Sequence, residues 1–141
     1  MVKLRVIGSN VPTNMKNCLF CKWIDGGRKV VIENENFKVF YDGFPVNKGH
    51  LLAVPKRHIK NLFELNQKEW ESLRGLLQKS ERHLDKKYSP DGFNIGVNIG
   101  EAAGQTVFHL HIHLIPRYKG DVKNPRGGIR NIKKALMKYD D

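Results

Sequence analysis

Hydrophobic and polar positions change period several times along the chain, and each change predicts an element. Arg28–Glu33 and Phe37–Tyr41 are rich in β-branched and aromatic residues. Asn34-Glu35-Asn36 separates them, a spacing that predicts a hairpin. His50–Val54 predicts a third strand, closed by Pro55. From Gln67 to Lys87 the period lengthens, with Trp70, Leu73, Leu77 and Leu84 at helical spacing. Asn66 caps this helix and Glu69 reaches back to it, an Asn form of the capping box. Phe93–Ile99 predicts a fourth strand, weakened by Gly96, and Val107–Pro116 a fifth. Cys18–Ile24 predicts a short helical turn before the Asp25-Gly26-Gly27 turn signal. The whole is an α+β domain: a five-stranded antiparallel sheet with one long helix and a short N-terminal helix. Residues 1–16 form an N-terminal arm with a short strand at Leu4–Ile7. Residues 17–121 form the domain, and 122–141 a basic C-terminal tail with a short helix at Ile129–Tyr139. No internal repeat or linker divides the chain.

The fifth strand carries the most distinctive pattern. In His109-Leu110-His111-Ile112-His113-Leu114-Ile115-Pro116 three histidines alternate with aliphatic residues. Strand side chains alternate between faces. Leu110, Ile112 and Leu114 therefore belong to the core, and His109, His111 and His113 line something polar, since three adjacent imidazoles are poor core material.

Composition narrows the setting. The chain has 141 residues, 40% hydrophobic and 28% charged, with a formal net charge of +11. This suits one globular domain. The positive charge favours anionic partners: nucleotides, polyphosphates or nucleic acid. No apolar run is long enough to span a membrane, and Met1–Gly8 lacks the core of a signal peptide, so a cytoplasmic protein with no membrane partner is expected. From Arg117 onward eight Lys/Arg face three Asp. The only cysteines, Cys18 and Cys21, form one C-x-x-C, which in a reducing compartment suggests a metal half-site or a redox pair.

The residues around the histidines suggest phosphoryl chemistry. Gly100, Ala102, Ala103 and Gly104 leave room for a ligand to approach the backbone, and Asn98, Gln105 and Thr106 add neutral polar groups. A neutral imidazole offers one nitrogen as nucleophile, and its neighbours can stabilise charge developing on phosphorus.

The triad resembles the signature of the histidine triad (HIT) nucleotide hydrolase and transferase superfamily. Asn98–Phe108 is similar to the segment leading into that signature, and Gly49–His58 to an earlier strand of the family. The resemblance covers about Cys18–Asp121. It implies that His111 is the nucleophile of a nucleotidyl-imidazole intermediate. It also implies that His113, Gln105, Thr106 and Asn98 bind phosphate, that Asp42 binds ribose, and that Phe20, Trp23, Phe40 and Gly43 form a base pocket. Pro116–Asp121 is more similar to the dinucleoside polyphosphate hydrolase and general bacterial branches than to the nucleoside phosphoramidase branch. The implied substrate is a purine nucleotide or a dinucleoside polyphosphate such as diadenosine tetraphosphate. The alternatives are a purine nucleoside phosphoramidase and a nucleotide-binding regulator with little activity.

Some members carry C-x-x-C at this position and bind zinc. The set implied here is Cys18, Cys21, His50 and His109, a closed structural site. The resemblance further implies a homodimer. Nucleic acid is not the expected partner. His58 is expected on the surface, His83 solvated on the helix, and Trp70 in the core.

Overall fold

The computed structural model describes residues 13–133. Two short helices, α1 (Thr13–Lys16) and α2 (Leu19–Lys22), precede a wide turn at Trp23–Gly27. The strands are β1 (Ile32–Glu33), β2 (Phe37–Tyr41), β3 (Leu51–Pro55), β4 (Gly92–Gly96) and β5 (Ile112–Arg117). They form one antiparallel sheet in the order β1-β2-β3-β5-β4. The long helix α3 (Gln67–Tyr88) lies between β3 and β4 in the chain. This is the expected α+β architecture. The strand expected at Leu4–Ile7 lies outside the described residues. Of the expected C-terminal helix, only a 3-10 segment at Gly128–Ile132 falls within them.

The first hairpin forms around Asn34, whose side-chain oxygen accepts from the N–H groups of Asn36 and Phe37 at 3.1 and 3.0 Å. β1 is much shorter than Arg28–Glu33. Alternation then sorts β2: Phe37 and Val39 face α3, and Phe40 faces the opposite cluster with Phe20, Leu52 and Val54. On α3, Leu73, Leu76 and Leu84 are buried. Trp70, expected in the core, is 45% exposed. The stripe that meets the sheet runs through Leu73, Leu76, Ser80 and Leu84, and Trp70 falls to its side. Gly49 fits where α3 crosses the entry to β3. It has φ +93°, and a Cβ there would stand 2.9 Å from the Tyr88 ring.

The capping box forms as expected: Asn66 accepts from Glu69 N–H and Glu69 accepts from Asn66 N–H, each at 2.9 Å. Glu69 is also buried against Arg57, whose Nε and Nη2 donate at 3.0 and 2.8 Å. The Arg57 guanidinium holds the Glu69 carboxyl below its ordinary value. A lowered folded pKa contributes stability above the unfolded value, and that contribution is lost as pH falls through the folded one. Glu69→Gln should therefore be less stable than the parent near pH 7. The gap should close on acidification below about pH 4, read as the difference in thermal midpoint across a pH series.

β5 begins at Ile112, five residues later than expected, for an identifiable reason. β3 ends at Pro55, which has no N–H to extend a ladder. The Pro55 carbonyl instead accepts from His109 Nε2 at 2.8 Å. On the other side β4 ends at Gly96, opposite His113. The sheet thus opens around His109–His111, and the first two histidines stand at the mouth rather than inside the ladder.

Candidate active site

Partner atoms in the fold assign the histidine tautomers, because a carbonyl can only accept and a backbone N–H can only donate. His111 Nδ1 lies 2.9 Å from the His109 carbonyl. Nδ1 therefore carries the proton, and the Nε2 lone pair is free. The Val46 N–H donates to His50 Nδ1 at 3.0 Å, so His50 carries its proton on Nε2. That proton goes to His113 Nδ1 at 2.9 Å, with Asp42 Oδ2 at 3.4 Å. His113 must then carry its proton on Nε2, a buried donor with no partner among the described residues. The ring centroids of His111 and His113 are 5.1 Å apart. A free lone pair and an unused N–H donor thus stand side by side. Burial lowers the pKa of His111, and takes that of His113 down to about 4, which keeps both imidazoles neutral near pH 7.

The aromatic residues form a chain leading from His111. Phe20 meets His111 edge-on at 4.8 Å, Trp23 meets Phe20 at 4.9 Å, and Phe40 meets Trp23 at 5.3 Å. Phe40, expected to line a base pocket, is wholly buried and serves as the floor under Trp23. The half-buried Trp23 and exposed Gly43 offer the accessible surface. Asp42 sits at the end of β2, where its Oδ1 accepts from Phe44 N–H at 2.8 Å.

Gln105 departs from its expected phosphate-binding role. Its amide nitrogen donates to the carbonyls of Lys60 and Val107 at 2.9 and 3.2 Å, and its oxygen accepts from Gly100 N–H at 2.8 Å. It is buried and braces the loop that shapes the mouth. Thr106 is exposed and lines a cavity of about 440 Å3 with Asn17, Leu19, Lys60 and Phe108. Asn98 is exposed beyond the end of β4.

The metal set expected from sequence requires one correction. Cys18, Cys21, His58 and His109 point their donor atoms at one another, all within 4.8 Å. His50 is committed to Val46, His113 and Asp42, and His58 takes its place. The chain leaving β3 after Pro55 brings His58 beside His109, and the Leu110 N–H to Ile59 carbonyl bond at 2.7 Å fastens the two segments. The separations are 3.4 Å for Cys18 Sγ to His109 Nδ1, 3.5 Å for Cys21 Sγ to His109 Nδ1, 3.2 Å for Cys21 Sγ to His58 Nδ1, and 3.2 Å between the two Nδ1 atoms. Zinc bonds of about 2.3 Å to sulfur and 2.05 Å to nitrogen at tetrahedral angles give edges of roughly 3.3–3.8 Å. The donor separations, 3.2–3.5 Å, lie at the short end of that figure. The Pro55 carbonyl holds the His109 proton on Nε2, leaving Nδ1 as the ligand. Burial takes His109 down to about 4 and lowers His58, so both imidazoles are neutral and could ligate a metal ion. Burial and the neighbouring Cys18 push the Cys21 thiol up to about 12, a balance that a divalent cation inverts.

His83, expected in solvent, is partly covered, and its Nε2 lies 2.8 Å from the Tyr41 hydroxyl. Sequence reasoning missed His58 and Arg28. The guanidinium of Arg28 lies over Trp23, 4.3 Å from the ring centroid.

An antiparallel sheet opening on alternating histidines, with their tautomers set by backbone carbonyls and by His50, defines the histidine-triad class of α+β domain. The chain belongs to the HIT domain family, whose model matches residues 26–120, a family of nucleotide hydrolases and transferases. It is 42% identical over 109 residues to a protein named Protein hit from Bacillus subtilis, covering 75% of each chain. A Zn-bound histidine triad family protein from Mycobacterium smegmatis superposes with a TM-score of 0.68 at 34% identity, covering 76% of this chain and 79% of that one. An AP-4-A phosphorylase from Mycobacterium tuberculosis is 40% identical over 79 residues, which is 55% of this chain but 40% of that protein.

Proposed function

We propose that the protein cleaves a nucleoside 5′-phosphoryl bond of a purine nucleotide, with a dinucleoside polyphosphate as the substrate class, through a nucleotide covalently bound to His111. The observation that carries this reading is the pairing of the free His111 Nε2 with the unpartnered His113 Nε2–H. Nε2 attacks the α-phosphorus. A P–N bond forms, and the bond to the leaving group breaks with its electron pair. The His109 carbonyl, accepting from Nδ1–H, stabilises the charge that develops on the ring. His113 Nε2–H donates to a phosphoryl oxygen. Water then cleaves the P–N bond and returns His111 to its starting form. The similarity to a protein named for AP-4-A supports the substrate class. The test is a panel of dinucleoside polyphosphates and nucleoside phosphoramidates with products identified by mass. Release of a nucleoside monophosphate from the former supports the reading. Turnover of phosphoramidates alone makes the protein a phosphoramidase, and tight binding without turnover makes it a binding protein.

His50 acts as a positioning residue, since it touches His113 and sets its proton on Nε2. His50→Leu should lower kcat about tenfold or more with little change in KM, in line with removal of a group that fixes an imidazole tautomer. His50→Gln keeps an amide N–H that can donate to His113 and should recover part of the loss. Equal loss in both variants would assign His50 a packing role only.

In the same reading Cys18, Cys21, His58 and His109 hold a structural zinc ion. It ties α2 to the segments after β3 and before β5, and its four ligands leave no open position for substrate. The similarity to a Zn-bound family member supports this. A homodimer fits the open edge of β4, where Ile95 is exposed. No helix among the described residues is long and apolar enough to cross a membrane.

A further inference from the structure

Arg28 is a cation that the proposed reaction leaves unused. Its Nη2 donates to the Tyr41 carbonyl at 2.8 Å, while its Cζ stands 4.3 Å above the Trp23 ring. A Cβ on Gly43 would lie 3.6 Å from both Nη1 and Nη2. Arg28 is half-buried, and among the described residues no carboxylate forms an ion pair with it. A guanidinium carries five N–H donors in a rigid fork, and the Tyr41 carbonyl occupies one.

We propose that Arg28 reads the base of the bound nucleotide and makes the site selective for guanine over adenine. This rests on the nucleotide reading of the site given above. The ring contacts run without a gap from His111 through Phe20 to Trp23, and Arg28 closes the far end beside Gly43. The guanidinium itself covers a face of Trp23, so a base seated beside Gly43 would meet it edge to edge. Guanine presents two acceptors, O6 and N7, which a guanidinium fork engages together. Adenine presents N7 beside an N6 amino donor, which faces another donor in Arg28. The nearby acceptor that could take that amino group, the Tyr41 carbonyl, is covered by Arg28 itself. Apolar contact with Trp23 does not separate the two purines. The discrimination therefore falls to Arg28.

The test is calorimetric binding of guanosine and adenosine 5′-monophosphates to the full chain. It reads the base site whether or not the protein turns over any substrate. The parent protein should bind the guanosine nucleotide about tenfold more tightly, the size of effect a bidentate Arg–guanine pair supplies. Arg28→Ala should bring the ratio close to one, mainly by weakening the guanosine nucleotide. Arg28→Lys keeps the charge and loses the fork, so it should lose the preference too, and it serves if the alanine variant folds poorly. Equal binding of both nucleotides by the parent, or a preference that survives in Arg28→Lys, overturns the proposal. Selective binding without turnover would leave Arg28 as the base reader and overturn the hydrolase reading alone.

Discussion

His111→Asn is expected to lower turnover of every nucleotide substrate at least about a thousandfold, as loss of a covalent nucleophile does. The asparagine side chain has no lone pair of imidazole character to attack phosphorus. The sheet should be unaffected, because the core contacts of β5 come from Ile112 and Leu114 on its other face. Phe20 loses one ring partner but keeps Trp23. Nucleotide binding and thermal midpoint should therefore stay near those of the parent. That pattern separates a group that reacts from one that supports the fold. Near-normal turnover in the variant would remove His111 from the chemistry.

The second large effect concerns the metal cradle. Cys21→Ser and His58→Ala should each lose bound zinc and lower the thermal midpoint by more than about 10 °C, since a structural zinc ion contributes several kcal/mol and each kcal/mol moves the midpoint of a domain this size by a few degrees. The loss follows from what the ion would join: α2, the segment after β3, and the segment before β5. Those segments otherwise meet through few bonds, chiefly His109 to the Pro55 carbonyl, Leu110 N–H to the Ile59 carbonyl and Gln105 to the Lys60 carbonyl. His50→Ala should keep its zinc, measured by elemental analysis of the purified variant. Zinc retained in His58→Ala and lost in His50→Ala would reinstate the ligand set expected from sequence.

The comparison of His50 with His58 shows what the sequence could and could not reveal. Period and capping located α3 to within one residue of its end, because its signals are local: Asn66 and Glu69 at one terminus, leucines at helical spacing between. Alternation separated the aliphatic and histidine faces of the triad for the same reason. The choice of the fourth metal ligand depends on where the chain goes after β3 ends. Pro55 stops the ladder, and the turn that follows carries His58, not His50, to the cysteines. Three residues after a strand end leave no periodic trace, so a histidine following Lys56 and Arg57 looks like surface. The same limit hid the burial of Phe40 and the bracing role of Gln105. Phe40 carries the aromatic character of a ligand contact, but its place on β2 turns it into the cluster with Leu52 and Val54. Gln105 carries the right polar groups, and the loop backbone consumes them. Arg28 was overlooked because it sits inside an expected strand. β1 proved too short to include it, which frees its side chain to cross Trp23.

The central claim is that phosphorus passes through a bond to His111, which requires two displacements. The most direct test is the stereochemical course at the α-phosphorus, using a substrate chiral by α-thio substitution hydrolysed in oxygen-18 water. Each in-line displacement inverts the centre, so the covalent route predicts net retention. Net inversion would mean that water attacks the substrate directly, and it would contradict the account.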